Sequence, residues 1–217
     1  MATPTLSIIG SGNMASAIGT RAAKHGHTVE IISRNTAKAQ RLVDQIGNGA
    51  TAGTYGAQPA GDIVILSVLY ADAVDVVTYF GEALAGKTLV DITNPFNADA
   101  SGLATTEGNS VSQQIAAAAP EDAHVVKAFN MLFRDVLADD KPVDVFFAGE
   151  DAEAKARFAA FLRTVDMRPL DTGGLEMTYV LEWASILLMG LARNGAGFNL
   201  ALGADVRWGF SSVGDAS

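Results

Sequence analysis

Gly10, Gly12 and Ala15 stand at the spacing G-x-G-x-x-A, between the apolar run Leu6–Ile9 and the alanine-rich stretch Ala15–Lys24. The chemistry open to that spacing is the binding of a pyrophosphate. Gly10 permits a tight strand-to-helix turn, Gly12 has no side chain to keep a phosphate off the backbone, and Ala15 lets the helix sit close to the strand. Asn13 and Met14 occupy the first helical turn, whose free N–H groups and positive dipole end attract anions. The spacing alone is a weak signal. Its place between a strand and a helix, with a second strand Thr28–Ile32 behind, turns it into a dinucleotide fingerprint.

The end of that second strand bears on which dinucleotide. An NAD site places Asp or Glu about 20 residues beyond the glycines, on the ribose 2′-hydroxyl. Here Ser33, Arg34 and Asn35 fall there, and the nearest acid, Glu30, lies inside the strand. A hydroxyl, a guanidinium and an amide suit a 2′-phosphate, which arginine can grip with two parallel hydrogen bonds. NADP(H) is therefore the expected cofactor. The plainer alternative is that Arg34 is an ordinary solvated side chain.

These residues need a scaffold, and the chain is built to supply one. It has 217 residues, 49% hydrophobic and 18% charged, which calls for a packed core. A net charge of −9 argues against a nucleic-acid partner. The absence of cysteine excludes disulfides, thiolate metal sites and a cysteine nucleophile. No histidine–carboxylate cluster has metal-ligand spacing. The start, Met1–Pro4, carries no charged leader, so a cytoplasmic protein is expected.

Further apolar runs read as strands: Ile63–Val68, Thr88–Ile92, His124–Phe129 and Val143–Ala148, with Arg168–Asp171 as a short extended end piece. Helical stretches alternate with them at Thr36–Ile46, Ala71–Ala85, Ser110–Ala118 and Ala152–Thr164, while Gly47–Gly61 and Ala98–Asn109 read as loops. The alternation predicts an α/β, Rossmann-type doubly wound parallel sheet. Residues 1–172 form its NADP-binding domain, and 173–217 a C-terminal helical extension. Within that extension Leu175–Asn194 is apolar on all sides. Its uncharged core, Trp183–Ala192, is about half the ~20 residues that would cross a bilayer, so no membrane span is expected. One side can be covered by its own chain. The other either finds cover there too or packs on a second subunit, and its breadth favours a homodimer.

Ligands of such sheets bind beyond the carboxyl ends of the strands. Ser67, Val68 and Leu69 arrive there, as do Asn94 and Pro95, and Lys127, Phe129 and Asn130. Asn94, Lys127 and Asn130 are the candidate catalytic residues. Asn130 could instead cap a helix, and Lys127 serve as a strand-end ion-pair partner. None of His25, His27 and His124 falls at the carboxyl end of a strand, and no Tyr-x-x-x-Lys pair exists to reduce a carbonyl. Hydride transfer between a nicotinamide and a flavin-like ring needs no strong protein acid, so the composition leans toward a flavin or deazaflavin small-molecule partner.

In order, Gly10-x-Gly12-Asn13-Met14, Ser33-Arg34, Asp91–Pro95, Val125–Asn130 and Pro169-Leu170-Asp171-x-Gly173 before an apolar helix resemble the NADPH-dependent coenzyme F420 reductases. The same module is similar to the cytoplasmic domain of six-transmembrane ferric reductases. The resemblance implies hydride transfer between NADP(H) and the deazaflavin F420. It places Ser33 and Arg34 on the 2′-phosphate and Ser67, Val68 and Leu69 beside the nicotinamide. Asn94, Pro95, Lys127, Phe129 and Asn130 would line the acceptor cleft. The stretch Leu175–Tyr179 lacks the arginine that often leads into the family's last helix, and the tail Ala204–Ser217, with Trp208 and Phe210, has no counterpart.

Overall fold

The computed structural model describes residues 5–205, most of one three-layer α/β fold. Strands β1 (Leu6–Ile9), β2 (Val29–Ile32), β4 (Ile63–Leu66), β5 (Thr88–Asp91) and β6 (His124–Lys127) are joined by the helices α1 (Asn13–Lys24), α2 (Thr36–Ile46), α3 (Tyr70–Phe80) and α4 (Val111–Ala118). They pair in parallel. Their runs are apolar without alternation because helices cover both faces. Every residue of β1 and β4 is buried.

Two features of the sheet depart from expectation. The segment Gly47–Gly61, expected as loop, contributes the edge strand β3 (Thr51–Gly53), parallel to β2. Its Thr-Ala-Gly is short, small and half exposed, so it carries no period to read. The run read as a further parallel strand, β7 (Val143–Gly149), meets β6 antiparallel, at Val126 against Gly149. β8 (Met167–Asp171) then pairs with β7 in parallel. A strand buried on both faces is apolar throughout in either direction, so its sequence does not encode its sense. The eight strands run in the order β3-β2-β1-β4-β5-β6-β7-β8.

One face is covered by α1, α2, α5 (Arg134–Ala138) and α6 (Ala152–Thr164), around Ile8, Ile31, Ile65, Phe129 and Phe158. The other is covered by α3 and α4, around Ile9, Val64, Leu66, Val77 and Leu89. α7 (Met177–Leu191) completes the second face over β7, where Leu181 meets Met131 and Ala148. Ser110 caps α4 with a reciprocal box, its side chain accepting from the Gln113 N–H while the Gln113 side chain accepts from the Ser110 N–H. Arg21 is buried in α1 and donates to the carbonyls of Val165, Lys141 and Asp166 at 2.8, 3.0 and 3.1 Å. Burial pushes its pKa down against the pull of Asp140. This clamp ties α1 to the turns flanking β7 and β8.

α7 is not enclosed on all sides within the chain, as its composition suggests it could be. Its inward face carries Thr178, Leu181, Glu182, Ser185 and Leu188, and its outward face exposes Val180, Trp183, Leu187 and Leu191. A glutamate and two hydroxyls point in beside two leucines, while a valine, a tryptophan and two further leucines point out, unlike a simple surface helix. Among the described residues no helix is long and apolar enough to cross a membrane. Most of the tail from Ala204 onward, including Trp208 and Phe210, lies outside the described residues.

Candidate functional site

The turn between β1 and α1 is shaped for a phosphate. Gly10 has φ +127°, and a Cβ there would lie 2.0 Å from the Ser67 carbonyl oxygen, so only glycine fits between β1 and β4. Gly12 is different: a Cβ there would meet nothing within 4 Å. That open space lies over the start of α1, whose first N–H groups receive no side-chain cap. A pyrophosphate supplies the acceptors those groups lack, so the cradle fits the diphosphate of a dinucleotide. Asn13 and Met14 form the first turn beneath it, and Ala15 is fully buried against the sheet.

Beside this cradle lies the end of β2. Ser33 Oγ is 3.2 Å from Ser11 Oγ. Asn35 uses its carbonyl oxygen to accept from the Lys38 N–H at 2.9 Å, capping α2. Its side chain is thus engaged with its own helix, away from the role in cofactor contact expected of it. Glu30 accepts from the Ser7 hydroxyl at 2.6 Å and the Ala60 N–H at 2.9 Å, so it is not offered to a ribose. Lys38 and Ser11 share a groove of about 720 Å³ with Gly12, Asn13, Arg41 and Gln45. Among the described residues Lys38 has no ion-pair partner. Lys38 and Ser11 escaped the sequence reading. The signal for them was the offset of Lys38 by one helical turn from Arg34, on the helix that Asn35 starts.

Arg34 faces a neighbouring cavity of about 510 Å³ that it lines with Tyr55, Asp72, Asp75, Val76 and Tyr79. Tyr55 and Tyr79 stack at 5.1 Å between ring centres, giving a flat aromatic wall beside a guanidinium. Burial raises the Tyr55 pKa, with Arg34 opposing. Between them the two neighbouring cavities present an aromatic wall, the Arg34 guanidinium, Lys38 and the Ser11 hydroxyl, groups of the kind that suit an adenosine 2′-phosphate.

At the other end, the carboxyl ends of β4, β5 and β6 converge. Ser67 and Val68 are half-buried there, and Leu69, the residue before α3, is 73% exposed. Asn94 and Asn130 lock together: the Asn94 amide donates to the Asn130 carbonyl at 2.7 Å, and the Asn130 amide donates to Asn94 Oδ1 at 3.1 Å and to the Leu181 carbonyl at 2.8 Å. Asn130 Oδ1 is buried and, among the described residues, has no hydrogen-bond partner. Pro95 is buried beside this pair. Phe129 sits at φ +59°, and its ring turns into the core against Phe158, 5.6 Å between centres, so the ring is not the cleft wall expected of it.

Lys127 is also turned away from solvent. Its Nζ donates to Asp91 Oδ2 at 2.8 Å, the Thr93 carbonyl at 2.6 Å and Glu182 Oε1 at 3.3 Å. All three charged side chains are 0% exposed. Asp91 further accepts from Ser112 Oγ and the Thr93 N–H, and Glu182 from the Val111 N–H and Thr105 Oγ1. Burial pushes the Glu182 pKa up, and Lys127 opposes that rise. Glu182, which the sequence reading missed, thus joins α7 to β5, β6 and the start of α4. Among the described residues no group of histidine, aspartate and glutamate could hold a metal.

The parallel sheet and the glycine cradle between β1 and α1 define a Rossmann-type dinucleotide protein. Residues 5–95 match the family described as "NADP oxidoreductase coenzyme F420-dependent". The chain is 31% identical over 201 residues to the F420-dependent NADP reductase of Methanocaldococcus jannaschii, covering 84% of this chain and 89% of that protein. It is 27% identical over 189 residues to Metalloreductase STEAP3 of Rattus norvegicus, 86% of this chain but 37% of that longer protein. A crystal structure from Arthrobacter sp. FB24, assigned as an F420-dependent NADP reductase, superposes with a TM-score of 0.78 over 90% of this chain and 96% of that one, at 23% identity, a likeness of fold. The chain belongs to the F420-dependent NADP oxidoreductase family and is an NADP-dependent oxidoreductase.

Proposed function

We propose that the protein transfers hydride between NADP(H) and coenzyme F420. The observation that carries this reading is the state of the polar groups at the acceptor end. Asn94 and Asn130 bind each other, and Asp91, Lys127 and Glu182 are sealed off. Such a wall can orient a ring without itself acting as an acid, which suits hydride transfer between two stacked rings. The 31% identity to the Methanocaldococcus jannaschii reductase supports the same acceptor.

NADPH supplies the hydride from its nicotinamide ring. In this reading Gly10, Gly12, Asn13 and Met14 hold the pyrophosphate, and Ser11, Ser33, Arg34 and Lys38 hold the 2′-phosphate. Ser67, Val68 and Leu69 border the nicotinamide and keep water from it. Asn94, Pro95 and Asn130 form the acceptor wall. Lys127 acts as a positioning residue: by holding the Thr93 carbonyl it fixes the loop that carries Asn94 and Pro95. Residues 173–217 complete the cleft through α7, whose outward Val180, Trp183, Leu187 and Leu191 support a homodimer interface.

A second reading, reduction of a flavin or ferric acceptor, is favoured by the likeness to the rat metalloreductase. Following NADPH absorbance with F420, FMN, FAD and ferric citrate in parallel separates the two. Turnover with F420 alone is expected, and turnover with a flavin or ferric iron but not F420 overturns it.

A further inference from the structure

Arg34 does not wait free in its cavity. Its Nη2 lies 3.3 Å from Asp72 Oδ2, on the first turn of α3. The two side chains are 69% and 42% exposed, so their ion pair is of the weak, solvent-screened kind. The backbone of Asp72 is held there by the α3 start that follows Leu69. A second acid, Asp75, lines the same cavity, with no ion pair to Arg34 among the described residues.

We propose that Asp72 is a specificity-setting residue, an internal counter-ion that competes with the cofactor's 2′-phosphate for Arg34. The inference rests on Arg34 being a 2′-phosphate ligand. A phosphate dianion outcompetes a solvated carboxylate for a guanidinium, because it carries more charge and matches the fork of donors. A 2′-phosphate that engages Arg34 must nevertheless share the guanidinium with Asp72 or displace it, and in either case sits near that carboxylate. Both effects weaken binding, and neither acts on NAD(H), which has a hydroxyl there. Asp72 thereby lowers the preference for NADP(H) below what Arg34, Lys38 and the two serines would otherwise give, and it favours release of the spent cofactor.

The test measures NADPH and NADH dissociation constants by fluorescence titration for the wild type, Asp72→Asn, Asp75→Asn and Arg34→Ala. Asp72→Asn is isosteric, and the pair it removes sits on the surface. It is expected to tighten NADPH about fivefold, on the order of 1 kcal/mol at 1.4 kcal/mol per tenfold. NADH should change less than about twofold, and the NADPH gain should shrink as salt is raised. Asp75→Asn makes the same change of charge without touching Arg34, so its effect should be clearly smaller. Equal or weaker NADPH binding in Asp72→Asn, or an equal gain in Asp75→Asn, overturns the proposal. If Arg34→Ala leaves NADPH affinity intact, the phosphate assignment beneath it has failed instead.

Discussion

Replacing Lys127 by methionine keeps most of the side-chain volume and removes the charge that two buried carboxylates share, together with the hydrogen bonds Nζ donates to them and to the Thr93 carbonyl. Asp91 and Glu182 accept from the same Nζ at 2.8 and 3.3 Å, so their oxygens lie at most about 6 Å apart. Two unit charges at that distance repel by about 3 kcal/mol at an effective dielectric constant near 20. Leaving a buried charge uncompensated typically costs about 3–5 kcal/mol. That is a large part of the roughly 5–15 kcal/mol that keeps a domain folded. The cost depends on pH, and its sign is fixed. A carboxyl whose pKa is raised by folding carries no penalty below its unfolded pKa, and the penalty grows as pH rises through the folded value. Burial already raises Glu182, and losing Lys127 raises it further. Urea unfolding of Lys127→Met should therefore show a loss of about 3–5 kcal/mol near neutral pH that shrinks as the solution is acidified. Lys127→Met with Glu182→Gln should recover much of it, because the amide oxygen still accepts from the Val111 N–H without carrying charge. A loss below about 1 kcal/mol at neutral pH, or one that grows on acidification, refutes the ion triad as the fastener of α7.

Two further outcomes follow from the same geometry. Gly12→Val should fold normally, since nothing lies within 4 Å of its Cβ, yet bind NADPH at least about tenfold more weakly in a titration; Gly10→Val should fail in thermal melts, since its Cβ would lie 2.0 Å from the Ser67 carbonyl oxygen. Leu187, 59% exposed on α7, should accept glutamate without unfolding the monomer, by circular dichroism, while light scattering shows a dimer become a monomer; a wild type that is already monomeric removes the interface assignment.

The strand–turn–helix geometry of the candidate phosphate cradle could be read from the sequence because its determinants are local. Gly10, Gly12 and Ala15 act through backbone geometry within one strand–turn–helix unit, and Ser33 and Arg34 follow the next strand directly. Helix boundaries were legible where the chain supplies its own caps. Asn35 opens α2 and Asp151 opens α6, and the expected ranges Thr36–Ile46 and Ala152–Thr164 are the observed ones. The sense of β7 and the edge strand β3 were not legible. Direction is absent from an apolar run, and three small residues have no period.

The end of the sheet around Asn94, Lys127 and Asn130 was obscure for a different reason: its polar residues find their partners across long stretches of chain. Lys127 is an ordinary strand-end lysine until Glu182 arrives from α7, 55 residues later, and closes the triad. Asn130 meets Asn94 and the Leu181 carbonyl in the same way. Composition made α7 look uniformly apolar, whereas its buried face is selected for fit to this network and its apolar excess lies outside. The inward Glu182 and the outward Trp183 and Leu187 thus answer two separate demands on one helix. One fastens α7 to the sheet beside the acceptor loop. The other leaves an apolar stripe exposed among the described residues. A substitution at Glu182 should therefore disturb the cleft first, and one at Leu187 should disturb association while sparing the cleft.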